Sequence, residues 1–134
     1  MHSLNLSCLI VFFLIGLSLV ESSCKITLKV RSATKEPFQL QVYIPSMHLK
    51  TERVTFEGKG VEKKVHIAGA NCMDKRWLVK TWKSGEGGWV PAAHTSGKLG
   101  GIGTFRLVVD EKLKPHGHDR MGVMCSESDG PLCG

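Results

Sequence analysis

Hydrophobic and polar residues alternate along most of the chain from residue 25 onward. Residues 25–31, KITLKVR, have an apolar side chain at every second position, and residues 38–44, FQLQVYI, repeat the pattern. This period of two is typical of a β-strand with one face buried and the other in water. The pattern predicts eight short strands, at residues 25–31, 38–44, 54–56, 61–67, 77–83, 89–95, 104–111 and 121–125.

Turn-forming residues separate these segments. Ser84–Gly88 is rich in glycine, and the glycine-dense stretch Ser96–Gly103 is predicted to be a loop. Short strands with turns at regular intervals favour an all-β fold, an antiparallel β-sandwich of seven to eight strands. Because no repeat or linker interrupts the pattern, residues 23–134 are predicted to form a single domain that ends in a short tail, Ser126–Gly134.

The first residues have a different character. Residues 6–20, LSCLIVFFLIGLSLV, are an uncharged apolar run that ends at Glu21. A run of about fifteen residues is shorter than the about twenty that a transmembrane helix needs, whereas it suits the core of a secretory signal. We therefore predict a cleaved signal peptide at residues 1–22, a secreted extracellular protein, and no transmembrane segment.

The cysteine content agrees with export. Cys8 lies in the predicted signal peptide, and four cysteines remain after it. An even number in an oxidising compartment predicts two disulfides, with three pairings open. If consecutive strands alternate in direction, the cysteines gather at one end of the domain. The predicted disulfide cysteines are Cys24, Cys72, Cys125 and Cys133, and the cysteine-free end has the loops around Lys35, Lys59, residues 85–88 and residues 112–119.

The charge balance points to a class of partner. The chain has 18 Lys and Arg against 12 Asp and Glu; only Glu21 of these precedes residue 23, so residues 23–134 have a formal net charge of +7. A basic exported domain favours anionic glycans, anionic lipid surfaces or acidic proteins, and simple solubility is the alternative. Since loops on a rigid β-scaffold commonly bind ligands, the candidate binding residues are Lys35, Lys59, Lys83, Lys112, Lys114, Trp82 and Trp89.

Three tryptophans lie close together in the sequence. Trp82 and Trp89 flank the Ser84–Gly88 loop and are predicted to face each other across a hairpin. They would form either an aromatic platform for a ligand or a cross-strand pair that stabilises the hairpin by up to about 1 kcal/mol. We prefer the second interpretation, with Trp77 in the core.

Residues 112–120, KLKPHGHDR, form the most distinctive segment. His116 and His118, with Asp119 beside them, offer two imidazoles and a carboxylate to Zn²⁺ or Cu²⁺. The segment is already basic, which opposes cation binding, so two solvent-exposed histidines are the preferred interpretation. A pH-dependent contact through them is a further possibility.

Catalytic motifs are missing from the sequence. It contains neither a nucleophile elbow nor an HExxH pair, and the thiols are predicted to be in disulfides. The basic residues are spread along alternate strand positions, which disfavours specific nucleic-acid binding. The sequence therefore predicts a protein that is not an enzyme and has no cofactor.

Three segments resemble a known group of proteins. CKITLKV at residues 24–30, WLVKTW at residues 77–82 and DRMGVMCSE at residues 119–127 are similar to the small secreted β-domain proteins of nematodes, whose function is unassigned. The resemblance implies an extracellular protein and brings no catalytic residue.

Together these observations favour a secreted, non-enzymatic binding module whose basic surface takes an anionic glycan, a lipid surface or a protein. The alternatives are a cationic membrane-active host-defence or structural protein, and a metal-dependent activity at the His116/His118 loop. The identity of the ligand and the oligomeric state stay open.

Overall fold

The computed structural model describes residues 23–134. The predicted signal peptide at residues 1–22 lies outside the described residues. Over residues 23–134 we find no helix long and apolar enough to cross a membrane. The strands are β1 (Ser23–Ser32), β2 (Phe38–Ile44), β3 (Leu49–Lys50), β4 (Val54–Phe56), β5 (Glu62–Ala70), β6 (Trp77–Gly85), β7 (Gly88–Val109) and β8 (Pro115–Asp129), with a 3-10 turn, Pro45–Met47, after β2.

The 22-residue strand β7 organises the sheet. Its first half pairs with β6, and its second half pairs with β1, one after the other along the same edge. β8 pairs with the opposite edge of β7, from Ser96 to Val109. Beyond these strands, β2 lies next to β6, β3 and β4 lie next to β2, and β5 lies next to β1. The pairing of β1 with β7 is parallel, and the others are antiparallel.

The all-β prediction is confirmed, and the arrangement of the strands differs from the predicted sandwich. The eight strands form one hydrogen-bonded sheet, because β7 runs through both halves and joins them. This sheet curls into a half-barrel. The two ends of the sheet approach each other through side chains. Lys63 on β5 donates to the carbonyl of Thr55 on β4, and Met47 packs over Gly69, where a Cβ atom would overlap its terminal methyl group.

The glycine-dense stretch Ser96–Gly103, predicted as a loop, is part of β7. Its ladder with β8 continues through irregular positions between Gly101 and Thr104. Gly101 and Gly122 adopt φ angles of 95° and 73°, which favour glycine. A Cβ atom at Gly103 would lie 1.8 Å from the carbonyl oxygen of Met121. The glycines therefore allow the two backbones to pair closely, which is why the stretch is a strand.

The core fills the concave side of the curled sheet. Phe38 and Phe56 stack with ring centroids 4.8 Å apart, and Leu132 from the C-terminal tail is fully buried. Each such side chain contributes about 1.5–3 kcal/mol relative to an exposed one. The other fully or almost fully buried apolar residues are Ile26, Leu28, Val30, Leu40, Val42, Ile44, Ile67, Trp77, Val79, Leu99, Phe105, Leu107 and Val109.

The two predicted disulfides are present, and the structure gives their pairing. Cys24 bonds to Cys72 across 48 residues, and Cys125 bonds to Cys133 across 8 residues. The longer loop restricts the unfolded chain more, so we expect about 4 kcal/mol from the first bond and about 2.5 kcal/mol from the second. Both lie beside the Leu99–Ile102 part of β7. The second bond also ties down the tail that buries Leu132.

Candidate ligand-binding face

The outer face of β5, β1 and β7 carries a row of three cations. Lys29 on β1 lies opposite Lys64 on β5 and opposite Arg106 on β7. All three point away from the core, because their neighbours Leu28 and Leu107 are buried on the opposite face. We call Lys64, Lys29 and Arg106 the basic row.

A cleft of about 530 Å³ adjoins the basic row. Arg31 lies two residues after Lys29 on the same face of β1. It lies opposite Val108 on β7, and Val108 lies opposite His116 on β8. Lys59 reaches the cleft from the turn before β5, which is held by a 2.8 Å hydrogen bond from the Gly60 amide to the Ser32 carbonyl. The residues that line the cleft are Lys29, Arg31, Ser32, Ala33, Lys59, Glu62, Arg106, Leu107, Val108, His116, Gly117 and His118.

Few acidic groups neutralise this face. Arg106 Nε lies 3.5 Å from Asp119 Oδ1, and both side chains are more than half exposed, so solvent screening limits this pair to well under about 1 kcal/mol. Glu62 lies opposite Arg31 on β5. Over residues 23–134, neither Lys29 nor Lys64 forms an ion pair. The cleft therefore keeps an excess of positive charge.

His116 is held in place at one wall of the cleft. Its Nε2 contacts Asp110 Oδ2 at 2.5 Å, and the other oxygen of Asp110 accepts the backbone N–H groups of Lys112 and Lys114 at 2.9 Å each. Partial burial acts to raise the pKa of Asp110, but the hydrogen bonds from Lys114, His116 and Lys112 outweigh it, so the pKa of Asp110 lies below its ordinary value. Asp110 thus stays ionised and orients the imidazole.

The two predicted metal ligands, His116 and His118, both line this cleft. In the part of the chain that the structure describes, no group of three His, Cys, Asp or Glu side chains is placed to hold a metal ion. His116 also has one ring nitrogen engaged with Asp110. A metal site at His116 and His118 stays a prediction.

The five predicted binding lysines do not come together. Lys59 lines the cleft, whereas Lys35 is exposed in the turn between β1 and β2. Lys83 lies near the end of β6, opposite Phe38 on one side and Val90 on the other. Lys112 and Lys114 belong to the turn before β8, where their amides bind Asp110.

The tryptophans serve mostly internal roles. Trp77 is buried, as predicted, and its indole N–H donates to the carbonyl of Cys72 at 2.7 Å. Trp82 is only 8 % exposed, because the Arg53 guanidinium stacks on its ring at 3.9 Å. The predicted pairing of Trp82 with Trp89 is wrong, because the hairpin turns between Gly85 and Gly88, and this register places Trp82 opposite Pro91 and Trp89 opposite Ser84.

A second depression, of about 420 Å³, lies on the outer face of β6 and β7 beside Trp82. Leu78, Lys80, Pro91 and His94 are among its lining residues. With the Trp82 ring covered by Arg53, this depression offers little aromatic surface to a ligand.

Four cations on this face were not among the predicted binding residues: Lys29, Arg31, Lys64 and Arg106. Their signal is visible in the sequence as cations at the polar positions of alternating strands. The pattern shows that each one faces water, but it does not show which strands are neighbours or in what register. Only strand pairing places Lys29 between Lys64 and Arg106.

Comparisons with known proteins assign no family to this chain. No family model matches the chain, and no curated protein matches it. Among solved structures, a Gram-negative toxin overlaps 81% of this chain at 15% identity with a TM-score of 0.34, and the human-specific toxin intermedilysin overlaps 76% at 12% identity with a TM-score of 0.31. This chain spans 23% and 24% of the length of those toxin chains. Overlaps this loose carry no inference about fold or activity.

Proposed function

We propose that the protein is an extracellular, non-enzymatic binding module that takes an anionic ligand on the basic row and the adjoining cleft. The observation that carries the proposal is the placement of Lys64, Lys29 and Arg106 directly opposite one another on three neighbouring strands. Like charges in such positions repel and destabilise a sheet. An arrangement with this cost is best explained by a function that uses the concentrated charge.

The geometry of the row suits a ligand with several anionic groups. Neighbouring strands lie about 4.8 Å apart, so the three side chains are rooted across roughly 10 Å of sheet. Arg106 offers a planar guanidinium for bidentate contact with a sulfate, phosphate or carboxylate group, whereas Lys29 and Lys64 act as point charges. An anion bound between them would relieve their mutual repulsion.

The proposed extracellular location rests on two features. Two disulfides suit an oxidising compartment, and residues 6–20 have the composition of a signal-peptide core. The cleaved signal peptide and secretion are part of the proposal.

Retention on heparin across a salt gradient tests the proposal, with a cation-exchange column of equal charge density as the reference. We expect the refolded domain to elute from heparin at a higher salt concentration than from the exchanger, because plain net charge would give equal retention. The Lys29→Ala/Lys64→Ala variant should lose most of that difference.

The matched control is Lys80→Ala/Lys83→Ala, which removes the same charge from β6, where both lysines are exposed and lie on opposite faces of the strand. It should shift elution only by the small amount due to net charge. Equal shifts for the two double variants, or equal retention of the unmodified domain on both columns, would contradict an organised anion site.

A further inference from the structure

Three large apolar side chains project into water from one part of the sheet. Ile102, Met121 and Met124 are 69 %, 79 % and 58 % exposed. Ile102 shares the outer face of β7 with Thr104, which lies opposite Met121, and Met124 lies opposite Gly100 on the same face. We call these three residues the apolar patch.

The backbones of β7 and β8 approach each other closely at the glycines beside the apolar patch. The β7–β8 ladder is irregular at this point, between Gly101 and Thr104. A Cβ atom at Gly103 would lie 1.8 Å from the Met121 carbonyl oxygen, and one at Gly122 would lie 2.1 Å from the Ile102 carbonyl oxygen. The outward direction of the three side chains follows from strand alternation, because Leu99 and Phe105 on β7 are buried on the opposite face.

The apolar patch adjoins the basic row. Met121 lines a trough of about 450 Å³ together with Lys29, Thr104, Arg106, Asp119 and Arg120. Arg106 pairs with Asp119, and Arg120 donates to the carbonyl of Cys133, so a bound anion would exchange these exposed contacts for its own. Lys25 lies directly opposite Ile102 on β1. The outer face thus changes from apolar near the disulfides to cationic further along β1 and β7, with the trough at the boundary.

We infer that this face docks on an anionic phospholipid surface. A lipid phosphate occupies the trough between Lys29, Arg106 and Arg120, and the apolar patch enters the boundary between headgroups and acyl chains. Peripheral proteins bind bilayers through this pairing of apolar and basic side chains. The inference rests on the proposed anion-binding function for its cations, and it adds the class of ligand.

The combined chemistry favours a lipid surface over the other anionic ligands. A sulfated glycan would use the basic row and leave Ile102, Met121 and Met124 in water. A second copy of this chain, stacked face to face on the same surface, would bring two sets of like charges together. A bilayer interface has an anionic layer and an apolar layer next to each other, as this face requires.

Sedimentation with phospholipid vesicles tests the inference. We expect the refolded residues 23–134 to bind vesicles of phosphatidylcholine with about 30 mol% phosphatidylserine and to bind pure phosphatidylcholine vesicles far more weakly. The Ile102→Ser/Met121→Gln variant should bind the anionic vesicles roughly tenfold more weakly, because both side chains that enter the interface become polar. Its elution from heparin should not change.

Two further variants complete the design. Trp89→Gln/Val90→Ser removes two partly exposed apolar residues from the opposite end of β7 and should bind vesicles like the unmodified protein. Met121→Gln alone alters one largely exposed side chain and should give a smaller loss in the same direction. Circular dichroism of each variant checks that it is folded.

The outcomes separate this inference from the proposed function. Retention on heparin without binding to anionic vesicles overturns the lipid assignment and leaves the anion site standing. If the unmodified domain elutes from heparin and from the cation exchanger at the same salt concentration, both the anion site and the lipid assignment are overturned. The role of the apolar patch is overturned if Ile102→Ser/Met121→Gln binds anionic vesicles as strongly as the unmodified protein. It is also overturned if sedimentation velocity shows that the unmodified protein is a dimer and that this variant is a monomer.

Discussion

The two halves of the sheet use their outer faces differently. In the half built from β2, β4, β6 and the start of β7, the exposed Arg53 stacks on Trp82, and Gln39 donates to the hydroxyl of Thr55. In the half built from β5, β1, β8 and the end of β7, Lys64 and Lys29 lie opposite each other without an ion pair among the described residues.

The difference indicates where a ligand would bind. A side chain that already has an intramolecular partner must lose that partner before it can bind anything else. A row of cations that repel one another gains from any anion that approaches. In the basic row, Lys29 and Lys64 have no ion-pair partner among the described residues, whereas Arg106 would exchange its exposed contact with Asp119 for the ligand.

The largest expected effect tests whether the two halves are one folding unit. The Cys24→Ala/Cys72→Ala variant should lose about 4 kcal/mol of unfolding free energy, because the bond closes a long loop. Both halves should unfold in a single transition, since β7 pairs with strands of each. Thermal unfolding followed by far-ultraviolet circular dichroism and by tryptophan fluorescence should give coincident curves. Separate transitions for the two signals would mean that the halves unfold independently.

A smaller effect tests the half that contains Trp82. Arg53→Ala should lower the unfolding free energy by about 1 kcal/mol, because the stacked guanidinium no longer covers the indole ring. Acrylamide should then quench the tryptophan emission more strongly. Arg53→Lys keeps the charge and loses the planar stacking, so it should show intermediate quenching and elute from heparin like the unmodified domain. If Arg53→Ala lost as much heparin retention as Lys29→Ala/Lys64→Ala, the contrast between the halves would be wrong.

The smallest expected effect tests the basic row itself. Lys29→Gln should raise the unfolding free energy by about 0.5 kcal/mol at low salt, because it removes the central charge of three. The gain should shrink as added salt screens the row, and heparin retention should fall. Lys80→Gln is the matched control, since Lys80 lies between Gln41 and His94 on neighbouring strands. Denaturant titrations at two salt concentrations measure both variants, and equal changes in the two would count against a strained row.

Several parts of the fold could be predicted because they depend on local pattern. The alternation in residues 25–31 and 38–44 locates β1 and β2 almost to the residue, and the burial of Trp77 follows from its place in an alternating strand. The stretch Ser96–Gly103 could not be predicted as strand. Glycine in isolation favours turns, and its role in β7 depends on the close backbone of β8.

The candidate site was predicted less well for a related reason. Lys59, His116 and His118 line the cleft, but Lys35 and Lys83 lie elsewhere. The loop argument placed binding residues in turns, whereas Lys29, Lys64 and Arg106 lie within strands. Adjacency between strands is a long-range property, and a parallel pair such as β1 and β7 has no short turn to reveal it.

The sequence by itself determined the all-β class, the approximate positions of most strands, the buried faces of β1 and β2, and the presence of two disulfides. Those features depend on the side-chain period and on composition, which act over a few residues. Only the tertiary structure decided that one sheet curls around the core, that Cys24 bonds to Cys72, and that three cations share a row beside an exposed apolar patch. These features depend on register, because pairing between distant strands decides which outward-facing side chains become neighbours.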